Sequence, residues 1–395
     1  MSKLTIKDVD LSGRTVLCRV DFNVPMEEGR ITDDTRITAT LETINYLQNT
    51  KLILCSHMGR PKGKPNPEES LAPCALRLSE KLGRPVTFVD DCIGPKVAQA
   101  VADMAVGDVL LLENTRFYPG EESKDPEVMQ AFAAELAAPA EAFVDDAFGS
   151  AAKKQASVTG VTKFLSPCVQ GFLMEKEVTM LSRVYNAPEA GFVVALGGAK
   201  VADKIDVIRA LLPRCEKMLI GGAMAWAFYR AKGIEIGDSL CFEESVQCAS
   251  EILAGDPALL SRLMLPVDVN MQNVAGDQAI VYAPADGILP GWRARDIGLE
   301  TTRLFVEAVR GAQTVFWNGP MGLFEQPPFD QGTLAMAQAM GECPGFNVVG
   351  GGDSVAAVTQ MGLADQMDHV STGGGASLEF LARGSLVGVD VLDDK

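Results

Sequence analysis

Two lysines, Lys200 and Lys204, stand four residues apart directly behind a glycine pair, Gly197-Gly198. Ammonium groups at that spacing on a helix share a face and can reach one polyphosphate. Before the glycines, Phe192–Leu196 is apolar and β-branched enough for a buried strand. After them Ile205, Val207, Ile208, Leu211 and Leu212 recur at helical spacing. Glycines at such a junction let the backbone approach a ligand, and a helix N-terminus offers unpaired N–H groups to an anion. Phosphate binding is the chemistry that suits this stretch. A helix start with two solvated lysines accounts for it almost as well, since it is neither a Walker loop nor a G-x-G-x-x-G fingerprint.

The other polar clusters tip the balance, and they divide by type along the chain. The first half carries Arg19-Val20-Asp21-Phe22-Asn23, Arg36, Ser56-His57-Met58-Gly59-Arg60-Pro61-Lys62-Gly63 and Glu113-Asn114-Thr115-Arg116. Most of these follow strand-like runs, and ligands of parallel sheets bind beyond the carboxyl ends of strands. The planar guanidinium fork suits carboxylate and phosphate, so four arginines so placed favour a small-anion site over scattered surface ion pairs. The second half carries glycine loops instead: Gly197-Gly198, Gly221-Gly222, Asn318-Gly319-Pro320-Met321-Gly322, Gly350-Gly351-Gly352-Asp353-Ser354 and Gly373-Gly374-Gly375. Each alone is explicable as a turn. Five together read as phosphate-approaching loops, with Asp353 able to hold Mg²⁺ through one carboxylate. A small-anion half therefore complements a nucleotide half. His369 and the three tryptophans read as structural, and no Ser-His-Asp or Cys-His nucleophile pattern is present.

Strands alternating with helices must position these groups. Strands are expected at Thr15–Val20, Leu52–Cys55, Val86–Phe88, Val109–Leu112 and Ala142–Val144, with helices around Arg36–Leu47, Leu71–Leu82 and Glu127–Leu136. Met174–Tyr185 is amphipathic, and Asn186-Ala187-Pro188 ends it. The pattern then restarts with strands at Phe192–Leu196, Met218–Ile220, Ala279–Tyr282, Thr314–Trp317 and Phe346–Val349. Helices are expected at Lys200–Leu212, Met224–Ala231, Thr301–Val309, Gly332–Met340 and Ser354–Met361. Such alternation predicts an α/β fold with parallel sheets covered by helices on both faces, as two domains joined by one central helix. The 395 residues suit two domains, and 47% hydrophobic with 22% charged residues is a globular composition. A net charge of −17 argues against a nucleic-acid surface. Nine scattered cysteines without a CxxC pair read as reduced core thiols of a cytoplasmic protein, and no apolar run predicts a membrane span.

Assembled, the motifs strongly resemble the phosphoglycerate kinase family over essentially the whole length. The carrying strings are RVDFNVP (19–25), DDTRI (33–37), SHMGRPKG (56–63), LLENTRF (111–117), DDAFGS (145–150) and FLMEKE (172–177). GGAKVADK (197–204), WNGPMGLFE (317–325), GGGDS (350–354) and STGGGASLEF (371–380) complete them. The resemblance implies two Rossmann-like domains: 1–172 for the acid substrate, a hinge helix at 173–187, 188–370 for the nucleotide, and 371–395 packing back on the first domain. It implies a monomer that transfers a phosphoryl group reversibly between MgATP and 3-phosphoglycerate, giving ADP and 1,3-bisphosphoglycerate, with a cleft that closes to exclude water.

Carried over residue by residue, it places the acid on Asp21, Phe22, Asn23, Arg36, His57, Met58, Gly59, Arg60, Arg116 and Lys153. The nucleotide falls to Gly197, Lys200, Lys204, Gly221, Asn318, Glu325, Gly351, Gly352, Asp353 and Ser354. Glu325 is expected on the ribose, Asp353 on Mg²⁺ and Lys204 on the nucleotide phosphates, while Lys200, Arg36, Gly373 and Gly374 attend the group in flight. The chain departs from the family at Ala152, where a histidine is usual, and at Lys153, where an arginine is. Lysine keeps the charge but loses the two-pronged grip on phosphate. An altered acceptor and a non-catalytic nucleotide-binding scaffold are the alternatives this departure raises.

Overall fold

The computed structural model describes residues 2–276, 278–282 and 287–395. Internal contacts divide the chain into two units, residues 1–179 with 385–395, and residues 180–384. The first is built on a six-stranded parallel sheet in the order Val86–Val89, Val109–Leu112, Lys51–Cys55, Thr15–Arg19, Ala142–Asp145, Cys168–Gln170. Successive strand residues point to opposite faces, so a strand buried on both sides must be apolar throughout. Val16, Cys18, Leu52, Leu54, Val109 and Leu111 pack in one core layer. Leu17, Ile53, Cys55, Leu110, Leu112 and Phe143 pack in the other. At about 1.5–3 kcal/mol for each large apolar side chain buried, these layers fix the register and hence where the strand ends project.

The second unit repeats the plan in the order Leu263–Met264, Lys217–Ile220, Phe192–Leu196, Thr314–Asn318, Phe346–Gly350, His369–Val370, again all parallel. In both sheets the strand opening the pattern lies centrally, with later strands on either side. The order reverses beside it, and such a switch point leaves a crevice at the carboxyl end. Arg19 ends that strand in the first unit, and Leu196, followed by the glycine pair, ends it in the second.

Several expectations need correcting. Ala279–Tyr282 does not join the parallel sheet; it pairs antiparallel with Val269–Asn273, which also pairs with Trp292–Ile297. Neither partner strand was anticipated, because Asn270, Gln272, Arg293 and Arg295 break up their apolar runs. The helix expected over Lys200–Leu212 is broken into a 3₁₀ turn, Ala202–Lys204, an α-helix, Ile205–Leu211, and a further 3₁₀ turn, Leu212–Arg214. Arg36–Leu47 likewise divides, into Thr35–Ala39 and Leu41–Tyr46, with Thr40 between. The central helix spans Phe172–Tyr185. Asp146 Oδ1 accepts from Leu173 and Met174 N at 2.9 and 3.2 Å, satisfying N–H groups that a helix start leaves open. Residues 385–395 group with the first unit, whereas the helix Gly375–Arg383 groups with the second. All nine cysteines are free thiols, seven of them buried. No helix among the described residues is long and apolar enough to cross a membrane.

Candidate functional site

The arginine set of the first unit forms at the switch point of its sheet. Asp21 receives Arg36 Nη1 at 3.2 Å, and the same nitrogen donates to Asn23 O at 3.0 Å. Asn23 Oδ1 accepts from Gly59 N at 2.9 Å, and Gly59 O accepts from Arg116 Nη1 at 2.7 Å. Five expected residues, Asp21, Arg36, Asn23, Gly59 and Arg116, are thus linked in series. Gly59 is required there: its φ is +58°, and a Cβ would lie 1.9 Å from Glu69 Oε1. Phe22 and Met58 are buried, and their N–H groups go to Ser56 Oγ and Asn114 Oδ1, so they shape the loop from beneath. Arg60 and Lys153 are exposed.

Arg19 behaves otherwise than a surface guanidinium. It is fully buried, donating from Nε to Ser157 Oγ at 2.9 Å, with Nη2 3.0 Å from His57 Nδ1. A guanidinium can only donate, so Nδ1 must carry its lone pair and the ring proton sits on Nε2. Burial pulls the His57 pKa well below the ordinary imidazole value, and Arg19, Arg116, Arg36 and Lys153 add to the shift. The ring is therefore a neutral N–H donor in a positive basin, although the whole chain is strongly acidic. Beneath it, Glu121 accepts from Ser157 N and Thr115 Oγ1, and burial raises its pKa against the pull of Arg19. Linear sequence gave no signal for this support, because its members come from four separate segments.

In the second unit a cavity of about 320 Å³ opens beyond Leu196. Lys200, Lys204, Asn318, Gly351, Gly352 and Asp353 line it, together with Gly198, Ala199, Asp203 and Gly319. The two lysines do not share a helix face, since both precede Ile205–Leu211. Lys204 Nζ folds back onto Gly197 O at 2.6 Å and Asn318 O at 2.9 Å, while Lys200 Nζ lies 5.2 Å from the centre of the Phe242 ring. Burial lowers the Lys204 pKa to about 8, with Asp353 and Asp203 opposing. Gly319 has φ +96°, and a Cβ there would meet Gly197 O at 2.3 Å, so the two loops touch backbone to backbone. Asn318 Nδ2 is buried and, among the described residues, has no hydrogen-bond partner. An unspent donor beside two lysines and helix-opening glycines suits a phosphate oxygen.

The remaining expected residues stand further back. Gly221 packs under Met321, where a Cβ would be 2.4 Å from Sδ. Ser354 is buried and its Oγ accepts from Gly319 N, so it braces the loop. Glu325 is exposed at the end of the loop and outside the cavity lining. Gly373 N donates to Ser371 Oγ at 3.2 Å, and Gly374, with φ +54°, precedes the helix Gly375–Arg383. Asp203 and Phe242 were not anticipated at the site: Asp203 lies inside the GGAKVADK string but was given no role, and Phe242 belongs to no motif.

Comparison with known proteins bears on both sites. A family model described as phosphoglycerate kinase matches residues 6–383. The solved structure of phosphoglycerate kinase from Coxiella burnetii is 36% identical, covers 98% of each chain and superposes with a TM-score of 0.85. That from Pyrococcus horikoshii is 32% identical, with the same coverage and a TM-score of 0.87.

Proposed function

Since this chain belongs to the phosphoglycerate kinase family, we propose that its arginine basin binds 3-phosphoglycerate and its glycine-lined cavity binds ATP. The protein is a glycolytic kinase, and the altered-acceptor and scaffold alternatives are not favoured. In the finer reading it is an ATP:carboxylate phosphotransferase. A carboxylate oxygen of 3-phosphoglycerate forms a bond to the γ-phosphorus as the bond to the ADP oxygen breaks, and the reverse step regenerates ATP. The attacking carboxylate is already ionised, so positioning and charge neutralisation replace a general base.

Arg36, Arg60, Arg116 and Lys153 supply positive charge to the acid, and Asp21 and Asn23 hold Arg36 in place. His57 contributes a neutral donor. Lys204, Asn318, Gly351 and Gly352 receive the nucleotide phosphates, Glu325 the ribose, and Lys200 with Gly373 and Gly374 the migrating group. Mg²⁺ fits the donor set in one manner only. No cluster of three or more His, Cys, Asp or Glu side chains forms a metal cage among the described residues. A cation carried by the nucleotide phosphates and met by the single carboxylate of Asp353 matches that arrangement, and it would neutralise charge there. We further read the protein as a cytoplasmic monomer of two functional domains.

The observation carrying this reading is the cavity that gathers both lysines, Asp353 and the Asn318 Nδ2, which has no partner among the described residues, at the switch point of the second sheet. A coupled assay with MgATP and 3-phosphoglycerate tests it. Lys200→Ala should lower kcat by about 10²-fold or more, the usual loss for a group that stabilises transition-state charge. Wild-type turnover no greater than that of the variant would refute it.

A further inference from the structure

The loop from Gly319 to Glu325 lies between the Thr314–Asn318 strand and the Gln331–Glu342 helix, and something must set its path. Asp296, in the Trp292–Ile297 strand, is fully buried beside it. Its Oδ2 accepts from Gly332 N at 2.8 Å, in the first turn of that helix, and Oδ1 accepts from Ile297 N at 2.8 Å. Two glycines yield it room: a Cβ at Gly322 would lie 2.2 Å from Oδ1, and one at Gly332 2.4 Å. Neighbouring bonds fasten the same turn, with Leu323 N donating to Arg295 O at 2.9 Å and Met321 N to Thr333 Oγ1 at 3.0 Å. A carboxylate with no cationic partner among the described residues is costly at such depth, and burial raises its pKa to about 7 against its two backbone bonds. An apolar residue could fill the space, but it would leave the Gly332 N–H without this acceptor.

We propose that Asp296 is a positioning residue for the nucleotide: by tying strand to helix and packing on Gly322, it sets the path of the Gly319–Glu325 loop and so the reach of Glu325 toward the ribose. The inference rests on the reading of that loop as the nucleotide loop. It assigns Asp296 to the sugar end of the ligand, leaving the phosphates to Lys204 and the glycine turns.

The test uses the full-length protein and two variants, with folded fraction followed by thermal unfolding. Asp296→Asn keeps the shape but turns an N–H toward one of two N–H donors. Gly322→Ala leaves Asp296 in place and displaces the loop from it. In each, the KM for ATP should rise about tenfold, the scale of one charge-assisted hydrogen bond. The KM for 3-phosphoglycerate and the affinity for inorganic tripolyphosphate should stay within about twofold. Glu325→Gln serves as the benchmark and should also raise the ATP KM. A benchmark without effect removes the premise and the inference with it. A benchmark effect with unchanged ATP KM in the Asp296 and Gly322 variants overturns only the role of Asp296. An equal rise for ATP, tripolyphosphate and 3-phosphoglycerate overturns it too, since that pattern marks general damage. Should Asp296→Asn not fold, Gly322→Ala decides by the same criteria.

Discussion

At the scale of single residues, charge state and hand-off of hydrogen bonds govern what the two sites can do. Lys204 is the clearest case. Its ammonium spends two bonds on backbone carbonyls and titrates near 8, within reach of ordinary assay conditions. A polyphosphate beside it favours the charged form, so ATP binding at pH 8 should take up roughly half a proton. Calorimetry in buffers of different ionisation heat measures that uptake, and Lys204→Arg, which keeps its charge, should abolish it. A proton count unchanged by the variant would refute the assignment. Lys153 offers a second prediction. Its single ammonium stands where the family resemblance implies a guanidinium, and Lys153→Arg should lower the KM for 3-phosphoglycerate by up to about tenfold, the worth of one charged hydrogen bond. An unchanged value would mean that Lys153 does not meet the acid. The glycines, lysines and arginines of both sites were legible in the sequence because their chemistry is carried by residue type. The burial of Arg19 was not, since a guanidinium is placed inside only by partners from distant segments.

Secondary elements decide how those residues are aimed, and here the reading was less complete. Apolar runs such as Leu52–Cys55 and Phe192–Leu196 were legible because strands buried on both faces admit little else. The break before Ile205 was not, although it takes Lys200 and Lys204 off a common helix face. Gly198 N donates to Pro320 O and the Lys204 ammonium to Gly197 O and Asn318 O, contacts with a distant segment that a local helical pattern does not encode. Strand ends also set buried charge. Asp145, at the end of Ala142–Asp145, is fully buried, and burial raises its carboxyl to about 7. A raised folded pKa means the native state binds the proton more tightly than the unfolded chain, whose value is 3.8. Its stabilising contribution is full below that value and fades as pH rises through about 7. Asp145→Asn keeps an acceptor for Ala147 N and removes the titration. Relative to wild type, the variant should gain about 4 kcal/mol between pH 4 and pH 8 in denaturant unfolding. A constant difference across that range would rule the account out. His57, with its lowered pKa, loses stabilisation as pH falls, so only the difference between variant and wild type isolates Asp145.

At the scale of the molecule, each unit has its own sheet and core, and each carries one candidate site at its own switch point. Ligand protection should therefore be local. In hydrogen exchange, ATP should slow amides in 197–205, 318–325 and 350–356, and 3-phosphoglycerate those in 19–23, 57–63 and 114–118. At ligand near 100 times Kd, binding adds about 2.7 kcal/mol to the protected opening. Protection by ATP centred on the arginine basin would reverse the assignment of the two units. The sequence by itself determined the α/β class, the two-fold run of strands and helices and the separation of arginine-bearing from glycine-bearing strand-end clusters. Each follows from local periodicity or residue type. Only the tertiary structure decided that Lys204 rests on two carbonyls, that Arg19 sets the His57 tautomer and that Asp296 lies under the Gly322 turn. Those are contacts between segments far apart in the chain, fixed by the register of buried strands, which short-range pattern does not encode.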